Sequence, residues 1–166
     1  MKSNAKRLSV ALLLALGSAH VVLAADFPKE GKYDYTSCWS GVSNLINFSK
    51  TQTAFSFEMT GTTRSNPPGG IFDLNTFRCV GTNASLDGKA SGITVCEATD
   101  RDGDKRLAYF SAASDGTVTR QQIAGTGKYD GMVTSDSKIT PLGPFPEIKT
   151  GTFQNCNHQT GNYKLK

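Results

Sequence analysis

The dipeptide Asp-Gly occurs four times in the second half of the chain, at 87–88, 102–103, 115–116 and 130–131, at spacings of 15, 13 and 15 residues. Asp-Gly is a strong two-residue hairpin signal, because a type I′ turn needs positive φ at both central positions. The runs between the turns are rich in Thr, Ser, Val, Tyr and Phe, residues that suit a half-buried pleated surface. Turns recurring at these intervals predict hairpin after hairpin, an antiparallel meander. Beyond residue 30 no apolar i, i+3, i+4, i+7 stripe persists over three turns, which argues against a helical bundle.

The predicted strands are 32–40, 53–63, 71–82, 91–99, 105–113, 117–125, 131–139 and 147–156, with 162–165 closing the chain and 42–48 either a further strand or a short helix. An open meander leaves two exposed edges. Closure into a single all-β, antiparallel up-and-down barrel of about eight strands removes them. The Pro- and Gly-rich segments 65–70 and 140–146 do not fit central strands and read as surface connections.

Four cysteines, Cys38, Cys79, Cys96 and Cys156, permit three pairings. If Asp87-Gly88 is a two-residue turn, facing positions in its hairpin share the sum 175, which Cys79 and Cys96 satisfy. Alternation outward from the turn puts them in a non-hydrogen-bonded pair, where Cα atoms approach to about 4.5 Å. Cys38 and Cys156 remain to join the first and last strands, in agreement with closure. There is no Cys-x-x-Cys for zinc or redox chemistry.

Lys2, Lys6 and Arg7 precede an apolar run from Leu8 to Leu16, followed by Gly17 and by Val22-Leu23-Ala24. This pattern reads as a signal peptide over 1–24, cut after Ala24, leaving a β-barrel domain over 25–166 in the periplasm or secreted. Bridged cysteines suit such an oxidising compartment. No later apolar run reaches the roughly 20 residues a spanning helix needs, so no membrane insertion is expected. The formal charge of +4 shrinks with the leader, because 3 of the 18 basic residues lie there and 15 then face 14 acidic ones. No basic stripe remains for nucleic acid.

The stretch Cys96-Glu-Ala-Thr-Asp-Arg-Asp-Gly-Asp-Lys105, with Ala124-Gly-Thr-Gly-Lys-Tyr-Asp-Gly-Met132, resembles a group of small uncharacterised bacterial exported proteins. Its second half is similar to the glycine turn of allene oxide cyclase-like, dirigent-like and related lipocalin-like barrels. The resemblance runs from Cys96 to Met132 and implies an eight-stranded barrel with a central cavity. None of the catalytic residues of those proteins carries over to a position here. Physically, Gly125 and Gly127 suit a bulge or sharp bend, after which Lys128 and Tyr129 are expected to resume the strand.

The chain has no Gly-x-Ser-x-Gly elbow, no His-Glu-x-x-His, no phosphate loop and no dinucleotide fingerprint, and no cofactor is implied. Outside the leader His158 is the sole histidine. Asp100, Asp102 and Asp104 alternate as calcium ligands do, but positions 6 and 12 of such a loop hold Lys105 and Ser111 instead of Gly and Glu. No metal site is expected. Trp39 and Tyr109 among the aromatics, and Arg78, Arg106, Arg120 and Gln122 among the polar strand residues, are candidates to line a barrel interior. Glu58 and Glu97 are the carboxylates to follow. The expected function is binding of a small, partly apolar ligand. The alternatives are a cavity-based cyclase or isomerase using Glu58 or Glu97, and a non-catalytic envelope or protein-interaction module. Oligomeric state is not legible.

Overall fold

The computed structural model describes residues 27–143 and 145–166; the proposed leader and its cut after Ala24 lie outside them. Eight strands, β1 (Glu30–Asn47), β2 (Gln52–Ser65), β3 (Thr76–Leu86), β4 (Lys89–Thr99), β5 (Lys105–Ala112), β6 (Val118–Gly125), β7 (Val133–Leu142) and β8 (Thr152–Lys164), follow in chain order. They form one antiparallel sheet in the order β6-β5-β4-β3-β2-β1-β8-β7. The sheet curls into a nearly closed barrel. β6 and β7 lie alongside each other at the seam without a hydrogen-bonded ladder. No helix among the described residues is long and apolar enough to cross a membrane.

The Asp-Gly turns set this register. Asp87 and Gly88 have φ of 53° and 76°, the positive pair of a type I′ turn. Leu86 faces Lys89 beside the turn, and Cys79 faces Cys96 farther along. The disulfide Cys79–Cys96 forms there, and Cys38–Cys156 forms between directly facing residues of β1 and β8. Both Cα separations are 4.1 Å, near the close approach of a non-hydrogen-bonded pair.

Four local expectations are corrected. The segments 147–156 and 162–165 are not separate strands, because Thr152–Lys164 runs as the single strand β8. Segment 42–48 is the end of β1, paired with β2 from Val42 to Asn47. The third strand begins at Thr76, because Ile71 and Phe72 leave the sheet and turn into the barrel, 4% and 0% exposed. Lys128 and Tyr129 form a 3-10 turn, Gly127–Tyr129, instead of resuming a strand. Gly127 takes φ 51° with the Asp104 carboxylate where a Cβ would lie, so the chain bends here. A bulge also interrupts the β5–β6 pairing between Leu107 and Ala108, where Ile123 of β6 is skipped, away from the glycines that suggested one.

The barrel has two unlike ends. At the closed end, Tyr33, Tyr35, Ile71, Phe72, Tyr129, Met132 and Tyr163 form the principal core cluster. Phe72 is its centre, edge-on to Tyr33 and Tyr35 at 5.2 and 5.4 Å. The plug is tied by Tyr129 Oη donating to the Ile71 carbonyl at 2.9 Å and by the Thr63 hydroxyl donating to the Phe72 carbonyl. Asp73 accepts from the Ser65 and Gly69 amides, both at 2.9 Å, and holds the preceding turn. At the open end the β1–β2, β3–β4, β5–β6 and β7–β8 connections ring a mouth.

Candidate functional site

Strand alternation decides which side chains enter the barrel. On β1 the inward row is Tyr33, Tyr35, Ser37 and Trp39. The inward rows of β3 and β5 include Phe77, Cys79 and Asn83, and Arg106, Ala108 and Phe110. Four inward aromatic rings lie across a glycine on the facing strand: Phe153 over Gly41, Phe77 over Gly61, Phe57 over Gly81 and Tyr33 over Gly161. A Cβ at any of these glycines would run into the ring. Pairing a large ring with no side chain lets the interior pack without filling completely.

What remains is a cavity of about 240 Å³. Its wall is mostly apolar, with Trp39, Met59, Phe77, Phe110, Val118 and Ile139, and the Cys79–Cys96 bridge runs through it. One side carries a polar ladder: Tyr35 Oη donates to Gln159 Oε1 at 2.6 Å, and Gln159 Nε2 to Asn157 Oδ1 at 3.0 Å. Toward the open end the cavity meets a wider mouth of about 990 Å³ beneath residues 145–155, sharing Trp39, Met59, Asn83 and Thr94 with it.

An unusual pair sits beneath the cavity, Arg106 lining it and Arg120 packed behind. Arg106 and Arg120 point inward and are 5% and 7% exposed. The Arg106 guanidinium carbon lies 4.2 Å from the centre of the Phe72 ring, and that of Arg120 lies 5.4 Å from the rings of both Phe72 and Tyr33. Among the described residues no carboxylate comes within ion-pairing distance of either. Arg106 Nε and all three nitrogens of Arg120 are buried without a hydrogen-bond partner. Burial pushes the Arg106 pKa down and the neighbouring Arg120 charge pushes the same way, while Tyr35 and Tyr129 oppose them. A guanidinium nonetheless stays charged in a protein. Stacking on an aromatic face returns about 2 kcal/mol when desolvated, against several kcal/mol for burying an ion. The pair is therefore a positive charge that no carboxylate among the described residues neutralises.

Of the residues singled out in the sequence, Trp39 and Arg120 face inward, as do Arg106 and Gln122. Glu58, Arg78, Glu97 and Tyr109 fall on the opposite strand parity and face outward. Arg78 Nε lies 2.7 Å from Glu58 Oε1, with both side chains about half exposed or more, at 63% and 49%. Hydrogen bonding to Arg78 and its charge hold the Glu58 carboxyl below its usual range. Lys105 Nζ lies 3.2 Å from Glu97 Oε1. Neither carboxylate reaches the cavity. His158 is on the outer face too, 2.8 Å from Asp34 Oδ1.

The three aspartates after β4 are closed by a lysine. Lys128 Nζ lies 2.8 Å from Asp100, 2.6 Å from Asp102 and 3.6 Å from Asp104. Asp100 Oδ1 also accepts from the Asp102 and Asp104 amides at 2.9 and 3.0 Å. Lys105, next along the chain from Asp104, turns to Glu97, and Arg106 enters the barrel.

The fold and the site together define a class: a disulfide-bridged, eight-stranded antiparallel barrel with an internal cavity and a cationic floor. Comparison with known proteins found no match to the chain, either among protein-family profiles, among curated proteins or among solved structures.

Proposed function

We propose that the chain is an exported β-barrel that binds a small, partly apolar molecule in its interior. The observation carrying this reading is the cavity between Trp39, Met59, Phe77 and Phe110, which is continuous with an open mouth. Its volume of about 240 Å³ sits just below the roughly 300–1,000 Å³ of typical ligand pockets, and the mouth adds room for a protruding group. The two disulfides fit an oxidising compartment, in keeping with the proposed leader and a periplasmic or secreted location. The resemblance to lipocalin-like barrels belongs to this same reading, since those folds imply a central cavity.

Binding is favoured over the cyclase or isomerase alternative because Glu58 and Glu97 face outward and no Asp, Glu or His among the described residues lines the inner cavity, Glu147 lying at the mouth. The interaction-module alternative draws on the mouth, where Phe48 and Ile148 are 83% and 82% exposed. Trp39 is the sole tryptophan of the chain and lines the cavity, so its emission reports directly on occupancy. Titration with small fatty acids, single-ring aromatics and terpenoid-like compounds is expected to give a saturable change in Trp39 fluorescence with a rise in Tm. Unchanged emission and unchanged Tm across the panel would reject the reading.

A further inference from the structure

The cavity has a charge requirement as well as an apolar wall, and this inference rests on the binding reading above. We propose that its ligand is an anionic amphiphile, a carboxylate in the simplest case, with the charged head seated against Arg106 beside Arg120 and the apolar body directed toward Trp39 and Phe110. Arg106 lines the cavity, and Arg120 lies on the inward face of the adjacent strand, beside Val118 of the cavity wall. Both guanidiniums rest on the same Phe72 ring, which fixes them at the floor.

Three observations converge. Arg120 is nine-tenths buried with every side-chain nitrogen unpartnered. No acid among the described residues pairs with either arginine, although Lys128, close by, has collected three. The wall between floor and mouth is apolar on most sides, so a ligand must be charged at one end and greasy along its length. A carboxylate matches the planar fork of a guanidinium, accepting two parallel N–H bonds. The Gln159 amide and the Tyr35 hydroxyl stand beside this position, already oriented by their own hydrogen bond.

The test compares octanoate with octanamide, and phenylpropionate with phenylpropionamide, on the full folded protein by calorimetry and Trp39 emission. Each acid is expected to bind about ten- to a hundredfold more tightly than its amide, the range for hydrogen bonds to a charged group. In Arg106→Met the preference for acid should disappear while the amides still bind, with circular dichroism confirming a native barrel. Should that variant fail to fold, the acid–amide ratio of the unaltered protein decides alone. Equal affinity for acid and amide would overturn the anion requirement and leave apolar binding standing. Absence of binding by all four compounds would overturn both.

Discussion

Lys128 and Arg120 are both cations near the closed end of the barrel, both set against aromatic rings. Lys128 Nζ lies 5.6 Å from the Tyr129 ring centre, and Arg120 stacks at 5.4 Å on Phe72 and Tyr33. Their treatment differs in everything else. Lys128 comes out of the 3-10 turn and meets three carboxylates on the flank of the β4–β5 connection. Arg120 comes off β6 into the interior and meets none among the described residues. A cation surrounded by acids clamps two loops together, and its partners are supplied by the chain. One buried without a counter-ion costs several kcal/mol, of which stacking on the Phe72 and Tyr33 rings returns only about 2 kcal/mol.

The comparison can be broken most forcefully at Phe72. Phe72→Ala removes the ring beneath both arginines and the centre of the plug, and should destabilise by about 3–5 kcal/mol, measured by urea unfolding. A loss below about 1 kcal/mol would mean that the plug is not the core of the closed end. Next in size is Lys128→Met, which leaves Asp100, 4% exposed at its side chain, among uncompensated acids. Breaking a buried pair costs about 3–5 kcal/mol, and this partly exposed cluster should lose about 2–3 kcal/mol.

The same pair carries a pH signature. Burial would raise the Asp100 carboxyl, but Lys128, Tyr129 and the Asp102 amide outweigh it and hold it below its ordinary value of 3.8. Its contribution is therefore present at neutral pH and lost as pH falls through the lower folded value. The deficit of Lys128→Met should be full at pH 7 and shrink only below 3.8; a deficit unchanged down to pH 2 would remove Asp100 from the account.

Arg120→Met should have the opposite sign to Lys128→Met. Replacing an unpaired buried charge by an apolar side chain should stabilise the empty barrel by about 1–2 kcal/mol. A clear destabilisation would show that Arg120 belongs to the structure and not to the site. The smallest effect is expected on the outer wall, where Glu58→Gln breaks an exposed pair with Arg78 and should leave the unfolding midpoint unchanged.

Much of the frame was legible because turn chemistry is local. Asp87-Gly88 dictates its own φ values, these fix the register, and the register brings Cys79 to Cys96 by counting alone. What was not legible depended on the third dimension. Ile71-Phe72 looks like the start of a strand, since an apolar pair with β propensity does not reveal that it will fold inward as a plug. Parity was equally hidden. Alternation separates Arg78 from Cys79, but nothing local says which face is concave, so Arg78, Glu58, Glu97 and Tyr109 had the same claim to the interior as Arg120. Arg106 was among the polar strand residues with that claim as well, and the sheet places it inside while Lys105 beside it stays outside.

The rings laid over glycines carry a consequence for how such a barrel can change. Gly41, Gly61, Gly81 and Gly161 each receive one aromatic side chain from the facing strand, so the bore is set by four discrete stops and not by the backbone. Shortening one ring opens a side chamber at that height and leaves the hydrogen-bonded ladder intact. Enlarging the glycine instead would also strike a carbonyl of the adjoining backbone, so the ring is the member of each pair that can vary. The width of the bore can thus be changed one pair at a time, in steps the size of a phenyl group, while the charged pair beneath stays as it is.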